Sequence, residues 1–234
     1  MFDMPIFVLY NSYRKWKDYD MWTNPTNDKE KQLTLIAANT GGYFTAKQAI
    51  QTGYSYRLQH YHKEQGHWDE IDRGVFRLAH YPDSPHEDLI RWSLWSRDRD
   101  DKPQAVISHE TALTVHESGD TMPGKVHLTV PPGFRKDPPG GCVLHQASLG
   151  PDVIEKHNGF FVTNPIQTLI DVAEGNMSAD YLESAIRDMY AKGLIRLIDL
   201  QNVQMSAQAK EKIKVVLQNI QRNPFLYAPN SAAI

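Results

Sequence analysis

The sequence predicts an α+β (mixed α/β) protein with an N-terminal winged helix–turn–helix, a larger mixed α/β domain and a helical C-terminal tail. Three observations carry that expectation. "GYFTAKQAIQTGYSYRLQHYHKEQG", residues 42–66, reads as two short helices broken by a glycine, and "HWDEIDRGVFRL" adds two strands pinched at Asp72-Arg73-Gly74. "KVHLTVPP" alternates with the period of two that a strand requires. Residues 178–190 and 206–222 carry apolar side chains at helical spacing.

Taken in order, residues 1–27 are aromatic-rich and irregular, and they are set apart as an N-terminal extension in which Met21 offers an alternative start. A helix begins near Asp28 with Leu33, Leu35, Ile36 and Ala37 as its apolar residues, and Gly41-Gly42 should end it. Thr45 is placed to cap a second helix, from Ala46 to about Gln51. Ser55 caps a third, from Tyr56 to about Gln65, on which Leu58, Tyr61 and His62 share the expected inner face. The hairpin Trp68–Ile71 and Val75–Leu78 turns through Gly74. Residues 28–81 are therefore assigned to the winged head, and Tyr81-Pro82-Asp83-Ser84-Pro85 to a hinge.

The second domain, residues 86–200, should open with a helix carrying Leu89, Ile90, Trp92, Leu94 and Trp95. A helix at His109–Glu117 follows, then strands at Val126–Val130, Val143–His145 and Gly159–Val162, and a helix after Thr163-Asn164-Pro165. Residues 201–234 are set apart as the tail.

Composition bounds the function. With 41% hydrophobic and 23% charged residues among 234, the chain has the make-up of an ordinary globular protein. Its formal charge of −3 argues against a polybasic binder, although what matters for DNA is the charge of one face. Residues 28–80 hold seven basic against six acidic side chains, a net of +1. Cys142 is the only cysteine, which excludes an internal disulfide and a cysteine zinc cage. No stretch approaches the ~18 apolar residues that span a bilayer, so no membrane partner and a cytoplasmic location are expected.

Chemistry-bearing motifs are sparse. "SHETALTVH" holds His-Glu, but the position four residues after His109 is Leu113, and His116 lies two turns away, too far to share an ion directly. Glu110, Asp171 and Glu174 are scattered, and neither a phosphate loop nor a nucleophile elbow is present. No catalytic residue, metal or cofactor is expected. In the head, the outer side of the third helix offers Tyr56, Arg57, Gln59, His60 and Lys63. Arg57 and Lys63 suit phosphate or guanine, and Gln59 suits adenine. Arg73 at the hairpin tip stands where a wing arginine would meet the backbone or a minor groove. Arg135 and Lys136 are candidates for a secondary contact with nucleic acid or a partner. The pattern alone fits a DNA reader and a helical mini-domain equally well, and winged helices also dock proteins.

"GGYFTAKQAIQTGYS", "RGVFRLAHYP", "SHETAL", "KVHLTVPPGFRK" and "TNPIQTLIDVAE" occur in this order and spacing. Together they resemble the AbiEi antitoxin family over about residues 30–190. The resemblance implies a transcriptional regulator of a type IV toxin–antitoxin, or phage-defence, locus. Its winged head would repress the operon's own promoter by binding repeated elements of double-stranded DNA. Its C-terminal domain would counter a nucleotidyltransferase-type toxin encoded nearby, without a necessarily stable complex. On this chain the DNA role falls on Thr45, Lys47, Ser55, Tyr56, Arg57, Gln59, His60, Lys63 and Arg73. Glu64, Asp69, Glu70 and Asp72 dilute the charge relative to the family's pattern. The rival readings are a nuclease-like nucleic-acid enzyme and a protein-docking adaptor without DNA binding.

Overall fold

Among the described residues, buried apolar side chains gather into clusters, one drawn from Leu33 to Phe76 and one from Leu113 to Ile220. The computed structural model describes residues 26–83, 85–120, 122–138 and 140–222. The N-terminal extension as far as residue 25, including Met21, Ser84 of the hinge and the tail past residue 222 lie outside the described residues. The chain divides into two compact units. Of the described residues, one comprises Thr26–Ala38 together with Gly42–His80; the other comprises Asn39–Gly41 and the residues from Tyr81 to Arg222.

In the first unit the order is α1 (Thr26–Ala38), β1 (Tyr43–Thr45), α2 (Ala46–Gln51), α3 (Tyr56–Glu64), β2 (Trp68–Asp72) and β3 (Val75–Leu78). The three strands form an antiparallel sheet in the order β1-β3-β2. This is the winged helix–turn–helix arrangement. Leu33, Ala37, Phe44, Ala49, Tyr54, Trp68 and Phe76 make its core, with Phe44 edge-on to Trp68 at 4.8 Å. Leu33 and Ala37 face inward one turn apart, which leaves Leu35 60% exposed, unlike its expected apolar role.

The turn between α2 and α3 is closed by its own backbone. Tyr54 N–H donates to Ala49 O, and Gly53 N–H to Ile50 O. Gly53 has φ +94, which L side chains rarely adopt. Strand β1 was not expected from the sequence. Three residues between a glycine pair and a helix cap are too few to show a period, and only pairing with β3 defines them.

The second unit contains α4 (Glu87–Trp95), β4 (Val106–Ile107), α5 (His109–Val115), β5 (Val126–Val130) and β6 (Cys142–Gln146). A 3-10 turn, β7 (Ile154–Lys156), β8 (Phe161–Thr163), α6 (Pro165–Glu174), α7 (Ala179–Ala191), α8 (Leu197–Asn202) and α9 (Ala207–Arg222) complete it. Its mixed sheet runs β6-β5-β4-β8-β7, with β5 parallel to β6 and β4 parallel to β8. Asn164 caps α6, its side chain accepting from Gln167 N at 2.8 Å, with Pro165 in the first turn. One core joins Leu113, Leu169, Val172, Leu182, Ile186 and Met189 to Ile213, Val216 and Leu217 of α9. The helix expected to lie in a tail is thus packed into this core.

Candidate nucleic-acid interface

Helix α3 turns one side to the head's core and one to solvent, and the boundary differs from the expected one. Leu58 packs against the core, Gln59 is 3% exposed, and His62 stacks on Trp68 with ring centroids 4.8 Å apart. The Gln59 amide donates to Tyr54 O at 2.9 Å and to Ala46 O at 3.1 Å. Both of its N–H groups therefore serve carbonyls of α2 and the turn, which is what allows a polar side chain to be buried here. The Gln59 amide thus faces the core and not the exposed side of α3, where the sequence reading set it as an adenine-reading group. Tyr61, placed inside by the sequence reading, is instead 52% exposed.

Thr45 is buried in the same way. It is 1% exposed, and its hydroxyl accepts from Gln48 N at 3.1 Å while Gln48 Oε1 accepts from Thr45 N at 2.8 Å. That is a capping box, which consumes the polar atoms a DNA contact would use.

Lys47, Ser55, Tyr56, Arg57, His60, Lys63 and Arg73 all lie on the surface of this unit. Tyr56, Arg57, His60 and Tyr61 fall at the spacing of one helical stripe, with Tyr56 70% exposed. Ser55 also caps α3, accepting from Leu58 N. Arg73 precedes Gly74, whose φ of +67 makes the tip of the hairpin. The acidic residues do specific work. Lys63 Nζ is 2.5 Å from Glu70 Oε2 on β2, and the hydrogen bond and charge of Glu70 hold Lys63 protonated beyond its ordinary range. His60 lies 3.8 Å from Glu64.

In the second unit Arg135 is exposed. Lys136 is committed: its Nζ donates at 2.7 Å to both Trp95 O and Arg97 O, at the C-terminal end of α4. A cation there satisfies carbonyls left open by the helix end, so Lys136 is a capping group in this structure.

The same unit gathers histidines that are far apart in sequence. His109 opens α5, His127 lies on β5 and His145 on β6, and one nitrogen of each lies within 4.8 Å of the others. His109 stacks on His145 with centroids 3.6 Å apart, and His127 Nδ1 is 3.1 Å from His145 Nε2. Glu110 Oε2 lies 3.0 Å from His127 Nδ1, and that hydrogen bond takes the Glu110 carboxyl down to about 2. Burial, and then the neighbouring His145 and His127, take His109 down to about 3. Beneath them Asp171 is 8% exposed and accepts from Gln167 Nε2 at 2.7 Å. Desolvation raises it to about 7.

Comparison with known proteins bears on the head. Residues 31–79 match the family profile described as "Transcriptional regulator, AbiEi antitoxin". The first unit is an AbiEi-like head. The crystal structure of the RV2827C protein from Mycobacterium tuberculosis is similar at a TM-score of 0.53 and 14% identity, over 90% of this chain and 83% of that one. At that identity the likeness is one of fold. No curated protein matches the chain. The family match supports an antitoxin or transcriptional-regulator role. No helix among the described residues is long and apolar enough to cross a membrane.

Two features of the chain escaped the sequence reading. Tyr61 belongs to the exposed stripe of α3, and the only signal for it was that Gln59, not Tyr61, completes the inner face with Leu58 and His62. The histidine trio had no local signal at all, because its members come from three elements.

Proposed function

We propose that this chain is a DNA-binding transcriptional regulator that represses its own promoter through the winged head, residues 28–81. It also acts as the antitoxin of a type IV, AbiE-like, phage-defence system. The observation that carries the reading is the stripe Tyr56, Arg57, His60 and Tyr61, exposed on the second helix of a helix–turn–helix within the segment matching AbiEi regulators. A recognition helix in the major groove presents such a row to base edges and phosphates, with Arg57 able to bind guanine with two hydrogen bonds. Lys47 and Ser55 flank the stripe, and Arg73 at the wing tip is set for the adjacent backbone. The second unit, residues 86–200 with its helical C-terminal segment, counters a nucleotidyltransferase-type toxin encoded nearby.

Fluorescence anisotropy tests the DNA role, using duplex from upstream of the gene against scrambled duplex across a salt series. Specific binding should weaken with salt, and Arg57→Ala should reduce the log–log slope by about 0.9, one phosphate's share. Equal, negligible binding to both duplexes overturns autoregulation at that promoter. Co-expression with the neighbouring toxin gene tests the second role: growth rescue should survive Arg57→Ala and fail when the second unit is removed.

A further inference from the structure

We propose that His109, His127 and His145 form a three-imidazole binding site for a divalent first-row transition-metal ion of the Zn²⁺ class, with Glu110 as its charge partner. The sheet places two of the ligands. β5 and β6 are parallel, with Thr129 opposite His145, so His127, Thr129 and His145 share one face. The third ligand enters from above that face, on the first residue of α5.

His109 is held there by an unusual backbone. It has φ +53, a left-handed conformation that side-chain-bearing residues rarely adopt. Strain of this kind persists only where surrounding contacts impose it. Those contacts are present: His109 stacks on His145, and its Nδ1 is 2.9 Å from Ser108 Oγ, which accepts from Thr129 Oγ1 at 2.8 Å. In the tautomer that donates Nδ1–H to Ser108, His109 Nε2 is left as a lone pair. Hydrogen bonds to the non-ligating nitrogen are how metal-binding histidines are oriented.

The spacing suits an ion. Zn–N bonds of about 2.0–2.1 Å in tetrahedral geometry set ligand nitrogens about 3.3 Å apart. His127 Nδ1 and His145 Nε2 stand at 3.1 Å, with a nitrogen of His109 within 4.8 Å of both, and the ion would replace the proton through which His127 Nδ1 meets Glu110. An imidazole set favours Zn²⁺, Ni²⁺ or Cu²⁺ over Mg²⁺ or Ca²⁺, which take oxygen ligands. The Glu110 carboxylate offsets part of the ion's charge. In the first unit, by contrast, His62 and His67 approach to 3.1 Å with no third ligand among the described residues.

The test uses the untagged full chain, stripped with chelator and titrated with Zn²⁺ by calorimetry and with Co²⁺ by visible absorption. One ion per chain is expected, with long-range ¹H–¹⁵N imidazole spectra of the wild type shifting at His109, His127 and His145. His109→Gln and His145→Gln should each weaken binding at least ~10-fold, while His62→Gln should leave it unchanged. Absence of binding overturns the site, and so do imidazole shifts confined to His62 and His67. The wild-type spectra decide the matter even if a variant fails to fold.

Discussion

Gln59 and Arg57 are two residues apart on one helix, and their substitutions should have opposite consequences. Gln59→Leu removes the hydrogen bonds to Ala46 O and Tyr54 O that tie α3 to α2 and the packed turn. That should cost about 1–3 kcal/mol, read as a lower urea midpoint for the first unit. Arg57→Ala removes an exposed side chain and should leave the urea midpoint in place while weakening DNA binding. If Gln59→Leu proved as stable as wild type yet bound DNA poorly, the amide would be a contact after all. The sequence reading failed at Gln59 because a glutamine on a short polar helix carries no mark of burial. Its burial depends on two carbonyls of preceding segments that come within reach only when the turn closes.

Elements explain which parts of the fold were legible. Caps and periods are local, so Thr45, Ser55 and the alternation of Val126–Val130 could be read directly. Strand β1, the inward turn of α9 and the trio of histidines depend on pairing between distant segments, and no local pattern encodes them. The bridge between α3 and β2 yields two predictions. Glu70→Gln frees Lys63 from its ion pair and removes a negative charge beside the proposed interface, so DNA affinity should rise roughly 2–10-fold at low salt and less at high salt. Unchanged affinity in a salt-series anisotropy assay would place Lys63 away from DNA. The second concerns pH. Burial, and then the nearby His67, lower the His62 pKa in the folded protein from 6.5. The unfolded chain therefore binds the proton more readily, so this contribution is complete above pH 6.5 and is lost as pH falls through the folded value. His62→Phe keeps the stack on Trp68 and removes the titration. Its thermal midpoint should fall less than that of wild type between pH 7.5 and 5; parallel curves would show that His62 does not carry the effect.

At the scale of the whole molecule, two separate cores predict that damage to one need not reach the other. The first unit's core is built from Leu33 to Phe76, whereas α9 contributes Ile213, Val216, Leu217 and Ile220 to a cluster that draws only on α5 to α9 and the segment around Ile195. Ile213 is 2% exposed, so Ile213→Ala leaves a cavity among Leu, Val and Met side chains and should destabilise the second unit by about 2–5 kcal/mol. Substitutions at sites that share no partners combine additively, so Gln59→Leu and Ile213→Ala together should cost the sum of their separate effects. The same independence separates the two proposed roles: Ile213→Ala should abolish rescue from the toxin at a temperature where operator binding is still full. Hydrogen exchange read segment by segment is the decisive measurement. Faster exchange in α6, α7 and α9 with unchanged protection at Phe44 and Phe76 is the expected result. Loss of protection at both sets would show that the two cores unfold as one.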